Sequence, residues 1–148
     1  MNVRWKCKKF DDLTPAELYA IIRLRNEVFV VEQNCVFQDA DNKDQGSWHL
    51  MGMKDNDLVA YTRLLPAGLA YTEASIGRVI NSSIVRGTGV GKELMQRSIQ
   101  ELYQLWGKQP IRIGAQLYLK KFYESFGFQH TSEIYLEDDI EHIEMLLQ

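Results

Sequence analysis

"IVRGTGVGKELM", Ile84 to Met95, decides how the chain is read: glycines stand at alternate positions 87, 89 and 91, a lysine follows, and an apolar-periodic run begins at once. A helix entered in this way leaves its first backbone N–H groups uncovered at the positive end of the helix dipole, where an anion is favoured. With no side chains in the way, the main chain can approach a diphosphate closely. Two familiar phosphate loops fail on spacing. A Walker A loop would need glycine at 86 and Ser or Thr at 93, where Arg86 and Glu93 stand. A dinucleotide fingerprint begun by Gly89 and Gly91 would need a third glycine at Leu94 and an acid further on for the ribose. What remains is Arg86-x-x-Gly89-x-Gly91 between a strand and a helix, whose alternative reading is a tight turn eased by glycine.

Outward from this loop, "ASIGRVIN" precedes it as a strand, and the helix that follows runs to about Trp106, with Leu94, Met95, Ile99, Leu102 and Leu105 at helical spacing and Gly107 as its stop. "IRIGA" is a short strand, "QLYLKKFYESFG" a helix closed by Gly127, and "HTSEIYL" with "EHIEMLL" a hairpin across "EDD". On the other side, "NVRWKCKKF" alternates Val3, Trp5 and Cys7 with Arg4, Lys6 and Lys8, the period of a half-buried strand. "DLTPAELYAIIRLRNEVF" opens a helix with Thr14 as N-cap, Pro15 at the first position and Glu17 completing a capping box. Its apolar face is Leu18, Ile21, Ile22, Leu24 or the Arg25 stem, and Val28. "NCVFQDADNKDQGS" reads as a long polar loop, and "WHLMGMK" and "LVAYTRLL" as a hairpin across "DND". The order is strand, helix, three strands, helix, strand, helix, two strands. That predicts an α/β fold, a central mixed, mostly antiparallel sheet of about seven strands flanked by helices.

With 148 residues, 45% of them hydrophobic, the chain suits one domain spanning 1–148 that buries its own core. Its start is charged and lacks the apolar stretch of a signal peptide, and no run approaches the roughly 18 apolar residues of a membrane span. A soluble, cytoplasmic protein with no membrane partner is expected. Cys7 and Cys35 have no zinc or CxxC spacing, so reduced, packed thiols are expected and no metal. A net charge of -3 and a pI near 5.6 argue against nucleic acid as a partner.

A second motif stands about thirty residues beyond Arg86: "AQLYLKKFYESFGF", Ala115 to Phe128, contains F-Y-x-x-F-G-F preceded by an amide at Gln116. Together the two motifs resemble the GNAT superfamily of acyl-CoA-dependent N-acyltransferases, in which R/Q-x-x-G-x-G/A holds the coenzyme A pyrophosphate and a later helix ends in Y-x-x-x-G-F. "LRNEVFVVEQNCVFQDADNKD" followed by His49, "IGRV", "RGTGVG" and "EDDIEHIEM" look like the ElaA-like branch of that superfamily, so the resemblance covers nearly the whole chain.

The resemblance implies that the strand before the glycine loop and the strand after its helix splay apart to admit the pantetheine arm. "GRVIN", Gly77 to Asn81, would line that gap, with backbone groups around Val79 pairing with pantetheine and an N–H polarising the thioester carbonyl. Arg86, Gly87, Thr88, Gly89, Val90, Gly91 and Lys92 would hold the pyrophosphate, Lys92 otherwise being a solvated helix lysine. Gln116, seven residues before Tyr123, occupies the place of a cofactor-contacting Asn with a longer side chain. Tyr123 matches the tyrosine that protonates the departing thiolate, a step that suits a phenol neutral near pH 7. Its other reading is packing against Phe122, Phe126 and Phe128, and Tyr118 is read as packing. A glutamate found in some family members eleven residues before the motif's Arg or Gln is Ser75 here. The base stays open among Glu73, Glu32, His49, His142 or a water chain. Neither cysteine has the partnered His of a thiol nucleophile, so direct attack in a ternary complex is the simpler route.

Asp39, Asp41 and Asp44 resemble the start of a calcium loop, but the glycine position holds Asp44 and the closing glutamate is missing, which rules out an EF-hand. They would either focus a cationic amine or fasten their own turns by Asx hydrogen bonds. The implied activity is transfer of an acetyl or short acyl group from acetyl-CoA to a primary amine on a small molecule or peptide, with a homodimer as a further expectation. A silent acyl-CoA sensor, or transfer using a non-amine acceptor or an acyl-carrier donor, are the alternatives.

Overall fold

The computed structural model describes residues 2–148. In chain order the elements are β1 (Arg4–Lys9), α1 (Pro15–Arg25), β2 (Trp48–Lys54), β3 (Asp57–Leu65), β4 (Ser75–Asn81), α2 (Val90–Trp106), β5 (Ile111–Gln116), α3 (Lys120–Glu124), β6 (Gln129–His130), β7 (Tyr135–Glu137) and β8 (Ile140–Leu147). The mixed α/β order read from the sequence holds. Its local punctuation holds too. Thr14 and Glu17 form the reciprocal capping box, and α2 stops at Gly107, whose φ of +85° few other residues adopt.

Four details are corrected. The strands form two four-stranded antiparallel sheets, β1-β2-β3-β4 and β5-β8-β6 with β7 also on β8, joined by a lone parallel bridge between Ala74 and Ile111. The expected strand at 130–136 is split into β6 and β7, making eight strands, because Ser132 Oγ accepts from the Glu144 N–H at 2.9 Å in place of a ladder carbonyl. α1 stops at Arg25 and continues as a wider π-helical stretch, Asn26–Glu32, where Gln33 N–H reaches Val28 O at 3.3 Å. The β-branched Val28, Val30 and Val31 crowd an α-helical turn there. The later helix is shortened to a 3-10 turn, Leu117–Leu119, and the short α3.

Period-2 alternation, broken at Val59 by a bulge opposite Gly52 and Met53, places two layers on the first sheet. Met51, Tyr61 and Ile80 pack under Ile21, Leu24 and Val28, while Leu50, Val59 and Ala60 meet Val85, Val90 and Leu94 on the opposite face. Ile22, expected inside, is instead 38% exposed. On the second sheet Ile111, Ile113, Ala115, Ile143 and Met145 bury one face against Met95, Leu102, Tyr123 and Phe128. The other face, with Gly114, Gln116 and His142, is left to line a cleft.

Candidate active site

β4 and β5 are bridged where they begin. Arg112 N–H donates to Ala74 O at 2.9 Å, and beyond that bridge the strands part. β4 turns away through a bulge: Arg63 pairs with Gly77 and Tyr61 with Ile80, so Arg78 and Val79 share the space of one residue on β3. Arg78 sits at φ +51°, a left-handed conformation that a non-glycine residue keeps only when held. Its guanidinium is held by Asp39 Oδ1 at 2.9 Å and the Asp39 carbonyl at 2.9 Å. The result is a cleft of about 870 Å³ between the two sheets, lined on one side by Ile76 to Asn81 and on the other by Ile113, Gly114 and Gln116.

The glycine loop stands at one mouth of this cleft. Gly87 and Gly89 have φ of +80° and +88°, and the first helical hydrogen bond of α2 is Glu93 N–H to Gly89 O at 3.2 Å. The N–H groups of Val90, Gly91 and Lys92 therefore precede the helical ladder, with no cap side chain covering them. Gly91 meets a different constraint: a Cβ there would lie 2.7 Å from Asn81 Nδ2. Asn81 Oδ1 is itself buried without a partner. An open cradle of backbone donors, close-approach glycine and an orphaned amide oxygen fit a phosphate-bearing ligand with polar neighbours.

The nominated residues are distributed unevenly about this cradle. Val79, Arg86, Gly91, Gln116 and Tyr123 line the cleft. Gly87, Thr88 and Gly89 are exposed and do not line the cleft, while the Val90 side chain is buried with Leu50 and Leu94, leaving only its main chain available. Lys92 is exposed and lies outside the cleft wall. Arg86 is engaged: its Nη2 is 2.6 Å from Glu32 Oε1, and it donates to Asn81 O. Gln116 is engaged as well, by Gln33.

The packing reading of Tyr123 holds. Its ring packs edge-on to Phe122 at 5.2 Å and Phe128 at 6.0 Å, yet it contributes to the cleft wall. Burial pushes its phenol above the ordinary value of 10, with Tyr118 adding to the shift, so it stays protonated at neutral pH.

Asp39, Asp41 and Asp44 are not free acids. Arg25, Arg63 and Arg78 surround them, with Arg25 Nη1 and Arg63 Nη1 at 2.7 and 2.8 Å from Asp44 Oδ1 and Arg63 Nη1 at 2.7 Å from Asp41 Oδ1. Burial would raise Asp44, but the hydrogen bonds and charges of Arg25 and Arg63 hold it below the usual carboxylate range. The loop is pinned to α1, β3 and β4, with an Asx turn from Lys43 N–H to Asp41 Oδ1 at 3.1 Å. Sequence reading missed this because the arginines are remote in the chain.

Residues 13–148 match the family model of the acetyltransferase (GNAT) domain. The chain is 41% identical over 145 residues to Protein ElaA of Escherichia coli (strain K12), covering 97% of this chain and 95% of that one. Its structure resembles that of an acyl-CoA N-acyltransferase from Pseudomonas aeruginosa, with a TM-score of 0.95, 44% identity and coverage of 99% and 100%. The crystal structure of Escherichia coli ElaA is similar at a TM-score of 0.93, 40% identity and coverage of 99% and 100%. Cleft, loop and likeness agree, and the chain belongs to the acetyltransferase (GNAT) family.

Proposed function

We propose that the protein transfers an acetyl or short acyl group from acetyl-CoA to a primary amine by direct attack in a ternary complex. The observation that carries this reading is the opening of β4 from β5 with a donor-lined glycine loop at one mouth and Tyr123 in the wall. When bound, acetyl-CoA supplies the thioester acyl group. The N–H groups of Val90, Gly91 and Lys92 bind its diphosphate at the positive end of α2, and Arg86 exchanges Glu32 for phosphate oxygens. Arg78 and Val79, unpaired with β3, leave strand backbone free for the pantetheine arm and for an N–H directed at the thioester carbonyl. Tyr123 then donates its proton to the sulfur as the carbon–sulfur bond breaks.

A thermal-shift titration with acetyl-CoA, beside ATP and NAD, tests the binding half, because a ligand that binds only the native state raises its melting temperature. Stabilisation by acetyl-CoA alone supports the reading, and stabilisation by none of the three, or by ATP or NAD, overturns it. Tyr123→Phe tests the chemistry: kcat falls on the order of 100-fold while acetyl-CoA affinity stays within about threefold. An unchanged kcat would remove Tyr123 from the mechanism, whereas acetyl-CoA binding with no turnover by either protein would favour a silent sensor.

A further inference from the structure

Amine acylation needs a group that takes the proton of the attacking nitrogen, and the fold separates the acids and histidines that could do so. Glu73 is spent on Arg112, whose Nε and Nη2 lie 2.9 and 3.0 Å from its two oxygens. His49 is fully buried with both ring nitrogens engaged, Nδ1 with Tyr61 Oη at 2.6 Å and Nε2 with Asp44 O at 3.0 Å. Glu32 is paired with Arg86 at the diphosphate end. His142 differs from all three: it is only 6% exposed, yet its side chain belongs to the cleft wall.

Its surroundings fix how it can act. Nδ1 is 2.7 Å from the Ile140 carbonyl, and a carbonyl only accepts, so Nδ1 carries the proton. In the neutral ring Nε2 is then the basic nitrogen. The imidazole stacks on Tyr135 at 5.8 Å, and β-sheet register sets it directly across from Gln116 at the open end of β5. Glu137 Oε2 stands 3.5 Å from Nε2. The groups around the ring are Tyr135 and Glu137 from β7 and Gln116 from β5, with Asp138 of the hairpin turn and Cys35, whose Sγ donates to Asp138 O at 3.2 Å, completing that wall. None of these neighbours is a cation.

We infer that His142 is the general base of the reaction, taking the acceptor's proton on Nε2 directly or through one water. This rests on the acyl-transfer reading above. The amine nitrogen's lone pair forms the new bond to the acyl carbon, the carbon–sulfur bond breaks, and its electron pair leaves on sulfur, which takes the Tyr123 proton. The amine's proton goes to His142 Nε2, and solvent carries it back to the Tyr123 oxygen, so the sum is amide plus free thiol.

Two measurements test this. In ¹⁵N-histidine spectra, where only His49, His130 and His142 contribute, the neutral His142 ring is expected as the Nδ1–H tautomer. An Nε2–H tautomer would overturn the assignment without reference to any substrate. The second uses His142→Asn, whose side-chain amide keeps a donor toward Ile140 O and removes the basic nitrogen. Coenzyme A release from acetyl-CoA, with ethylenediamine as probe amine, is expected to fall about 100-fold at neutral pH and by progressively less as the pH rises and the amine loses its own proton. The acetyl-CoA melting shift should match that of the unmodified protein. Release within twofold at every pH, with that shift intact, would remove His142 alone. Absence of any acetyl-CoA shift in the unmodified protein would remove the parent reading and this one with it.

Discussion

Gln33 and Gln116 exchange amide hydrogen bonds across the cleft, each side-chain nitrogen donating to the other's oxygen, at 3.1 and 3.3 Å. The pair ties the end of the π-helical stretch to the last residue of β5, while Glu32, one residue earlier, ties the same stretch to Arg86 at 2.6 Å. Two consecutive side chains thus bridge the gap that the cofactor is proposed to enter.

A double-mutant cycle with Gln33→Ala and Gln116→Ala is expected to show a coupling of about 0.5–1 kcal/mol in thermal or denaturant unfolding. Under saturating acetyl-CoA that coupling should vanish, because Gln116 turns to the cofactor. A coupling that persists would place Gln116 in the cleft wall only.

Glu32→Gln should tighten acetyl-CoA binding by up to about fivefold. The Arg86–Glu32 pair is half-exposed and worth at most about 1 kcal/mol, and removing it frees Arg86 while deleting a charge beside the diphosphate seat. Calorimetry at low and high salt checks this, and the gain should shrink as salt rises.

The two loop glycines should fail for different reasons. Gly89 has open space around a Cβ but φ of +88°, so Gly89→Ala costs about 1–2 kcal/mol of backbone strain. Gly89→Glu additionally brings negative charge to the seat and is expected to abolish acetyl-CoA affinity measured by calorimetry. Gly91→Ala forces Asn81 aside from 2.7 Å, so it should lower affinity through the displaced β4 end.

The Asp44 carboxylate lies between two buried guanidiniums, so Asp44→Ala should cost about 3–5 kcal/mol in urea unfolding by leaving Arg25 short of a counter-charge. Acid should find the same weakness. Glu17 is partly desolvated, which alone would raise it, but Lys6, the Thr14 N–H and Lys8 lower it from the ordinary 4.5 to about 2. Asp41 and Asp44 are lowered too, against their burial, by Arg63 and by Arg25 with Arg63. A carboxylate depressed in the folded state contributes stability above its unfolded value and loses it as the pH falls through the folded one. Buried His49, held below the ordinary 6.5 by desolvation, adds a loss that begins as the pH falls through that value. The melting temperature should therefore start to decline below about pH 6.5 and fall further from pH 4.5 toward 2, and a flat profile there would contradict the pairing.

Local chemistry made much of this protein legible. Thr14, Pro15 and Glu17 start α1 because a cap satisfies N–H groups within one turn, and Gly107 ends α2 because φ of +85° is nearly free only to glycine. Arg86, Gly89 and Gly91 marked a strand-to-helix turn with uncapped N–H groups, and Phe122 to Phe128 marked an aromatic helix end, since both are patterns of neighbouring residues. Tertiary structure alone decided the rest. Arg25, Arg63 and Arg78 reach Asp39, Asp41 and Asp44 from three different elements, 14 to 39 positions away, turning an apparently solvated loop into a buried ion network. The Ala74–Ile111 bridge, the Arg78 bulge, the burial of His49 and the place of His142 at the cleft follow from register and burial. A one-residue slip would reverse which side chains face the cleft, and sequence spacing carries no record of which strand lies opposite.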